Sequence, residues 1–484
     1  MKKITCILIL FALGACTKFD DEIRDSSLVR KPDPANVYIE LRDLIDDNGW
    51  WFWAQEISSD EVVFPVRGTD WNDGGKWRVL HTHEWSNDVD AVNSMWSHLN
   101  DGIREANRLL DEILPNAGDP EIDKSIAEVK TLRAFFLYLL MDNYGDVPNV
   151  TSFTSAPEFP TKETRANVYN FLITELTENL PLLEQGSTSL LVSKGMAFTL
   201  LAKLYLNAET YTGTSAYVEA EEMCDSVIAL GQYTLDPTVS APFAAANEGN
   251  GENIFSIYFE ENDAQGFRLH MRTLHYLSDA TFGMAVGPWN GFAVVEDHYD
   301  SYSDGDYRKE EWFMVGQQFT KGNAKIFDQT AGADLVLTKE IPALVMGAGQ
   351  TQSEIRMSGA RVKKYEIEDG ALENLNNDFP LFRYADVLLM KAECAVRNGA
   401  PGAGDSYIAE VRDRANAGPT SGFGLDEILA ERGRELFCEG HRRQDLIRFG
   451  KFGDSWWEKS PSTPDRKTFP IPQWAIDANP NLGL

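Results

Sequence analysis

The chain has 484 residues, 43% of them apolar, which is enough for a large core. Its formal net charge of −31 works against phosphate backbones and other polyanions, so nucleic acid is excluded as a natural partner. Of the five cysteines, Cys224, Cys394 and Cys438 each sit in a helical apolar pattern at wide spacing, which fits neither a disulfide framework nor a zinc site.

The N-terminus reads as a leader. Lys2 and Lys3 precede an apolar run from Ile4 to Leu13, and Leu13-Gly14-Ala15-Cys16 has the form of a lipobox. The run is about ten residues and a spanning helix needs about twenty, so it is not a transmembrane segment. The expectation is a signal peptide over 1–15, acylation of Cys16, and a polar, lipid-anchored tether over 16–35.

Helical periodicity then dominates. Met95, Trp96, Leu99, Ile103, Ala106, Leu109 and Leu110 predict a helix over 91–114, and Ile126 to Leu140 predict another over 123–143, stopped by Gly145 and Pro148. Further helices are expected at 165–182, 193–211, 215–230, 382–398, 404–416 and 425–448. The stretch 193–233 reads as a helical hairpin with small alanines at its crossing points, like a tetratricopeptide unit, and such pairs need stacked neighbours. A similar hairpin reads from Tyr384 to Ala415. Between 235 and 380, Gly, Asn, Asp and aromatics rise and only short strand-like runs appear, at Ile254–Tyr258 and Leu335–Thr338. The expected fold is therefore mostly α: a tetratricopeptide-like helical-repeat shell (91–233 and 381–450) with a loop-rich, irregular ligand-binding insertion (235–380), all within one domain over 36–484.

Six motifs follow one another in order. They are Arg133-Ala134-Phe135-Phe136 with Tyr138, Asn143 to Pro148, Leu200 to Leu206, Arg383 to Glu393, Glu431 to Arg448, and Phe469-Pro470-Ile471-Pro472 with Asn479 to Leu482. Together with the lipobox they resemble the SusD/RagB family of outer-membrane nutrient-binding lipoproteins. The resemblance implies a non-catalytic surface lipoprotein that binds oligosaccharide or polysaccharide. Such a protein hands its ligand to a SusC-like, TonB-dependent transporter in the outer membrane. It implies no cofactor. The acidic Asp20-Asp21-Glu22 after Cys16 is similar to signals that send such lipoproteins to the cell-surface face. Two other functions remain in view: a surface glycoside hydrolase, and a non-catalytic helical-repeat adaptor for peptide or protein. With 75 acidic residues, a carboxylate pair can be chosen anywhere, so the hydrolase has no specific sequence signal.

The motif charges need no ligand; Arg133, Arg383, Asp386, Glu393, Glu435, Arg442 and Arg443 read as paired charges inside a helical scaffold. Binding residues are expected among tryptophans, seven of which fall between Trp50 and Trp96. Asp70 to Trp77 carries Asn72-Asp73-Gly74-Gly75, which is turn chemistry with Trp71 and Trp77 at its shoulders. A sugar ring offers an apolar C–H face and a rim of hydroxyls, so it wants an aromatic platform beside short polar groups. Trp71, Asn72, Asp73 and Trp77 make such a set on an expected exposed loop, Trp289-Asn290 offers a second, and Trp51 is a further platform candidate. The expectation is that the two loops meet. Asp300, Asp304 and Asp306 lack the spacing of a calcium loop, and His81 and His83 have no completing ligands, so no metal site is assigned.

Overall fold

The computed structural model describes residues 33–46, 49–186 and 188–484; Cys16, the leader and the tether up to residue 32 lie outside the described residues. Pro34–Leu484 forms one compact unit. Among the described residues no helix is long and apolar enough to cross a membrane.

The fold is mostly helical, with tetratricopeptide-like pairs, and each pair forms for a local reason. Helix Asp90–Ile113 lies along Pro120–Tyr144, and at their crossing Gly102 admits the Phe136 ring: a Cβ there would sit 2.6 Å from it. Pro120 occupies the first turn of its helix, Asp119 caps it through the Glu121 N–H, and Gly145 at φ 78° ends it. Arg165–Asn179, Lys194–Leu206 and Tyr217–Ala229 continue the stack, and Tyr384–Asn398 packs on Tyr217–Ala229. Thr164 and Ser193 cap the first two of these through backbone N–H groups.

One expected element differs. The helix anticipated over 425–448 is two helices, Leu425–Glu435 and Arg442–Arg448. Cys438 and Gly440 between them take positive φ, and the Gly440 Cα lies against Trp51, so a Cβ would come 2.6 Å from its ring. The Trp50–Trp53 stretch is helical: Trp50, at φ 61°, starts helix Trp51–Ile57, and Trp50, Trp51 and Trp53 are all buried.

The 235–380 region holds short helices and two-stranded ladders. Asn253–Ile257 pairs antiparallel with Phe379–Arg383, closing the insertion onto the helical shell. Val66–Arg67 pairs parallel with Val345–Met346, and Val62–Val63 antiparallel with Ala293–Val294. These last two ladders carry the N-terminal tryptophan segment into contact with the insertion.

The motif charges form an interior network. Arg383 donates to Glu439 (2.6 and 2.7 Å), Glu435 and Glu252; Arg308 to Asp306, Glu431 and Glu435; Arg432 to Asp386 and Asp445; Arg448 to Glu393 and Asp445. Burial alone would raise the Glu435 carboxyl, but the Arg414, Arg383 and Arg308 charges hold it down at about 2. Arg308, Arg434 and Arg412 likewise outweigh burial and hold Glu431 at about 2. Every one of these cations is matched, so the network joins helices rather than facing a ligand.

Candidate functional site

Trp71 follows the tight Arg67–Asp70 turn and takes φ 64°. That conformation turns its ring toward the insertion, where its indole N–H donates to the Trp289 carbonyl at 2.9 Å. Gly291 makes the approach possible, since a Cβ there would lie 2.6 Å from the Arg272 carbonyl oxygen and 2.7 Å from the Trp71 ring. The Trp289, Asn290 and Gly291 amides are held in turn by the Met271, Leu274 and Arg272 carbonyls. The two loops do meet, edge to edge, at Trp71 and Trp289.

Beneath them the Arg272 guanidinium lies 5.3–5.9 Å from the ring centroids of Trp53, Trp71, Trp77 and Trp289. Its burial lowers the pKa to about 10. One cation thus organises four indoles contributed by three distant stretches of chain.

The structure sorts the sequence candidates. Trp71 and Trp289 are part-exposed, and Asn72 and Asp73 are exposed beside them. Trp77 is not on an exposed shoulder: it opens helix Lys76–His81, is only 2% accessible, and stacks on Phe64 at 4.2 Å. Its indole N–H donates to Asp73 at 2.8 Å and so fixes the turn from below. Trp51 is buried against Gly440 and offers no free face. Asn290 is fully buried; its amide donates to the Arg356 carbonyl (3.0 Å) and its oxygen accepts from Arg361 (2.8 Å). An amide bonded at both ends and closed off from solvent cannot reach a ligand hydroxyl.

Tyr276 was missed by the sequence reading. Its hydroxyl donates to Asp70 next to Trp71, and the Arg356 guanidinium lies over its ring at 4.6 Å. Burial first, then the hydrogen bond to Asp70 and its charge, pushes its pKa up to about 12, so it stays a hydroxyl. A lone tyrosine on an irregular loop carries no local signal, and only the fold brings it beside Asp70. The resulting surface, the ledge, joins two part-exposed indoles to exposed Asn72 and Asp73, next to Trp71 in the chain, and to the Asp70–Tyr276 hydrogen bond.

The remaining candidates are structural. His81 Nε2 lies 2.8 Å from the Trp457 carbonyl, and His83 bridges Ser462 and the Ser58 carbonyl while stacked on Phe452. Asp300 pairs with Lys339, Asp304 with Lys309, and Asp306 with Arg308, so the three aspartates do not converge. Among the described residues no group of three or more His, Cys, Asp or Glu side chains is placed to hold a metal ion.

Comparison with known proteins matches two stretches of the chain. A family model described as "Starch-binding associating with outer membrane" matches residues 36–206, and the SusD family model matches 297–463. The starch-binding protein SusD of Bacteroides thetaiotaomicron is 25% identical over 433 residues, 83% of this chain and 77% of that protein. Among solved structures, a laminarin-binding SusD-like protein superposes with a TM-score of 0.74 at 21% identity, covering 92% of this chain and 96% of the other. Surface glycan-binding protein A from Bacteroides thetaiotaomicron, in complex with laminarihexaose, gives 0.72 at 21% identity, covering 93% and 97%. These superpositions establish the common fold. With two SusD-type family models matching in order, over 36–206 and 297–463, the chain belongs to the SusD family.

Proposed function

We propose that this protein is a lipid-anchored, cell-surface glycan-binding protein that captures oligosaccharide or polysaccharide on the Trp71–Trp289 ledge. It then passes the chain to a TonB-dependent, SusC-like transporter in the outer membrane, without cleaving it. The observation that carries the reading is the ledge itself, two part-exposed indoles joined to Asn72, Asp73 and the Asp70–Tyr276 pair. Indole faces suit the C–H face of a sugar, and the amide, carboxylates and phenol suit its hydroxyls. The starch-binding and laminarin-binding relatives support this ligand class, and the lipobox at Cys16 supports the anchor.

Calorimetric titration with maltohexaose and laminarihexaose tests the binding step. Wild type binds one of them, and Trp71→Ala and Trp289→Ala weaken that binding while keeping the fold. Unchanged affinity in both variants removes the ledge from the site, and release of reducing ends by purified protein would favour the hydrolase. Metabolic labelling with an alkyne fatty acid tests the anchor; label that persists in Cys16→Ala refutes it. Co-purification of the full lipoprotein with a SusC-like barrel tests the handover.

A further inference from the structure

A second concave site lies away from the ledge and shares none of its residues. It is a cleft of about 490 Å³ between segment 238–244, helix Asp279–Phe282, the Glu311 end of helix Tyr307–Trp312 and residues 363–367. That volume falls in the usual range for small-molecule sites, about 300–1,000 Å³. Its walls are preformed: the Glu366 N–H donates to the Phe243 carbonyl (3.0 Å), the Ala245 N–H to the Glu366 carboxylate (2.9 Å), and the Ser240 hydroxyl to Glu311.

The lysine pair 363–364 gives the cleft its chemistry. Both lysines line the cleft, but their ammonium groups are engaged differently. The Lys364 ammonium is tied to the interior, held by Glu439 at 2.6 Å and the Phe437 carbonyl at 2.7 Å. Lys363 is half-buried, Glu311 is the charge that faces it, and its ammonium makes no hydrogen bond among the described residues. Three donors therefore stand unused beside two carboxylates that each accept a single bond from their own wall. Phe282 and Ile367 add an apolar surface.

We infer that this cleft is a second glycan-binding site, selective for neutral sugars with vicinal hydroxyls. A vicinal diol fits what is left unsatisfied. Each hydroxyl can accept from the Lys363 ammonium and donate to the Glu311 or Glu366 carboxylate, while the ring's C–H face lies on Phe282. A uronate or sulfated sugar would set its charge against both carboxylates, which selects against it. The inference rests on the glycan reading of the ledge for the ligand class only. Two sites on one rigid unit would hold a long chain by raising the local concentration of its second segment.

The test is titration calorimetry of the full chain with maltohexaose and laminarihexaose, joined to mass-spectrometric protection of Lys363 from reductive methylation. Wild type should bind two equivalents of the preferred probe. Lys363→Met and Glu311→Gln should each weaken one of them at least tenfold, leaving melting temperature and the other equivalent unchanged. In Trp71→Ala/Trp289→Ala the probe should still protect Lys363. Wild-type affinity and stoichiometry in both cleft variants, with binding lost in the tryptophan double variant, overturn the second site and leave the ledge standing. Binding lost in the cleft variants and retained in the tryptophan variant sustains the cleft and overturns the ledge. If wild type binds neither probe, both readings fall.

Discussion

The interior around Arg383 and the ledge around Trp71 treat polar groups in opposite ways. Inside, Arg308, Arg383, Arg432 and Arg448 are each satisfied by two or more carboxylates, and the closed set ties Leu425–Glu435, Arg442–Arg448 and Tyr384–Asn398 together. At the ledge one buried cation, Arg272, sits among four indoles, and the polar groups joined to them still have capacity for a ligand. The residues most conspicuous as sequence motifs therefore build the scaffold. Those proposed to face a ligand are scattered aromatics with weak local pattern.

The sharpest way to break this contrast is to remove a motif charge. Arg383→Met removes the cation shared by Glu252, Glu435 and Glu439, leaving them only Arg414, Arg308 and Lys364, and breaking a buried ion pair costs about 3–5 kcal/mol. Thermal unfolding should show a large loss, while any variant that still folds keeps its glycan affinity. Reduced affinity at unchanged stability would contradict the division of labour.

Trp77→Ala examines the boundary between the regions. Because Trp77 is core under the ledge, truncation should cost about 3–5 kcal/mol of stability, with its loss of binding secondary to a displaced Asp73 turn. A variant with a wild-type melting temperature and no binding would return Trp77 to the ligand side.

Trp71→Ala should do the reverse. Loss of a stacking platform costs about 1–3 kcal/mol in comparable base-stacking sites, or roughly five- to a hundredfold in affinity. The melting temperature should change far less than in Trp77→Ala, which calorimetry and thermal unfolding on one sample can compare.

The gentlest probe is pH. Glu56 and Glu61 are both fully buried, and burial drives the Glu56 carboxyl up to about 7 and raises Glu61 as well, with the neighbouring Glu56 charge adding to the rise. Folding thus favours the protonated form between about pH 4.5 and 7, and stability should decline as pH rises through 7. Glu431 and Glu435, held at about 2, act in the opposite sense, adding stability above their unfolded value that is lost as pH falls toward 2. Unfolding followed across pH should pass a maximum on the acid side of neutrality, with slopes of at most about 1.4 kcal/mol per pH unit for each group. Glu61→Gln should flatten the neutral side and leave the acid side intact; equal slopes on both sides in the variant and wild type would sink this assignment.

The helical pairs were legible because they rest on short-range physics. Apolar residues at helical spacing, Pro120 and Asp119 at a start, and Gly145 at a stop decide local structure within a few residues. The break at 436–441 was not, because Leu436 and Phe437 continue the apolar pattern and the reason for the break lies across the core, where Gly440 meets Trp51. For the site, the two loops and the part-exposed Trp71 and Trp289 were visible as turn residues next to tryptophan. Trp77, Trp51 and Asn290 carried the same signal and are buried. Composition cannot tell a platform from a wedge.

The sequence by itself determined the helical shell, the position of the loop-rich insertion, and the structural assignment of the motif charges, since periodicity, capping and charge in apolar helices act locally or demand a partner. Only the tertiary structure decided which indole faces solvent, that Tyr276 stands beside Asp70, and that Lys363 lines a cleft while the Lys364 ammonium is tied to Glu439. Those outcomes depend on contacts between residues tens to hundreds of positions apart, such as Trp71 with Trp289, and exposure is fixed by what the rest of the chain packs against a side chain rather than by the side chain itself.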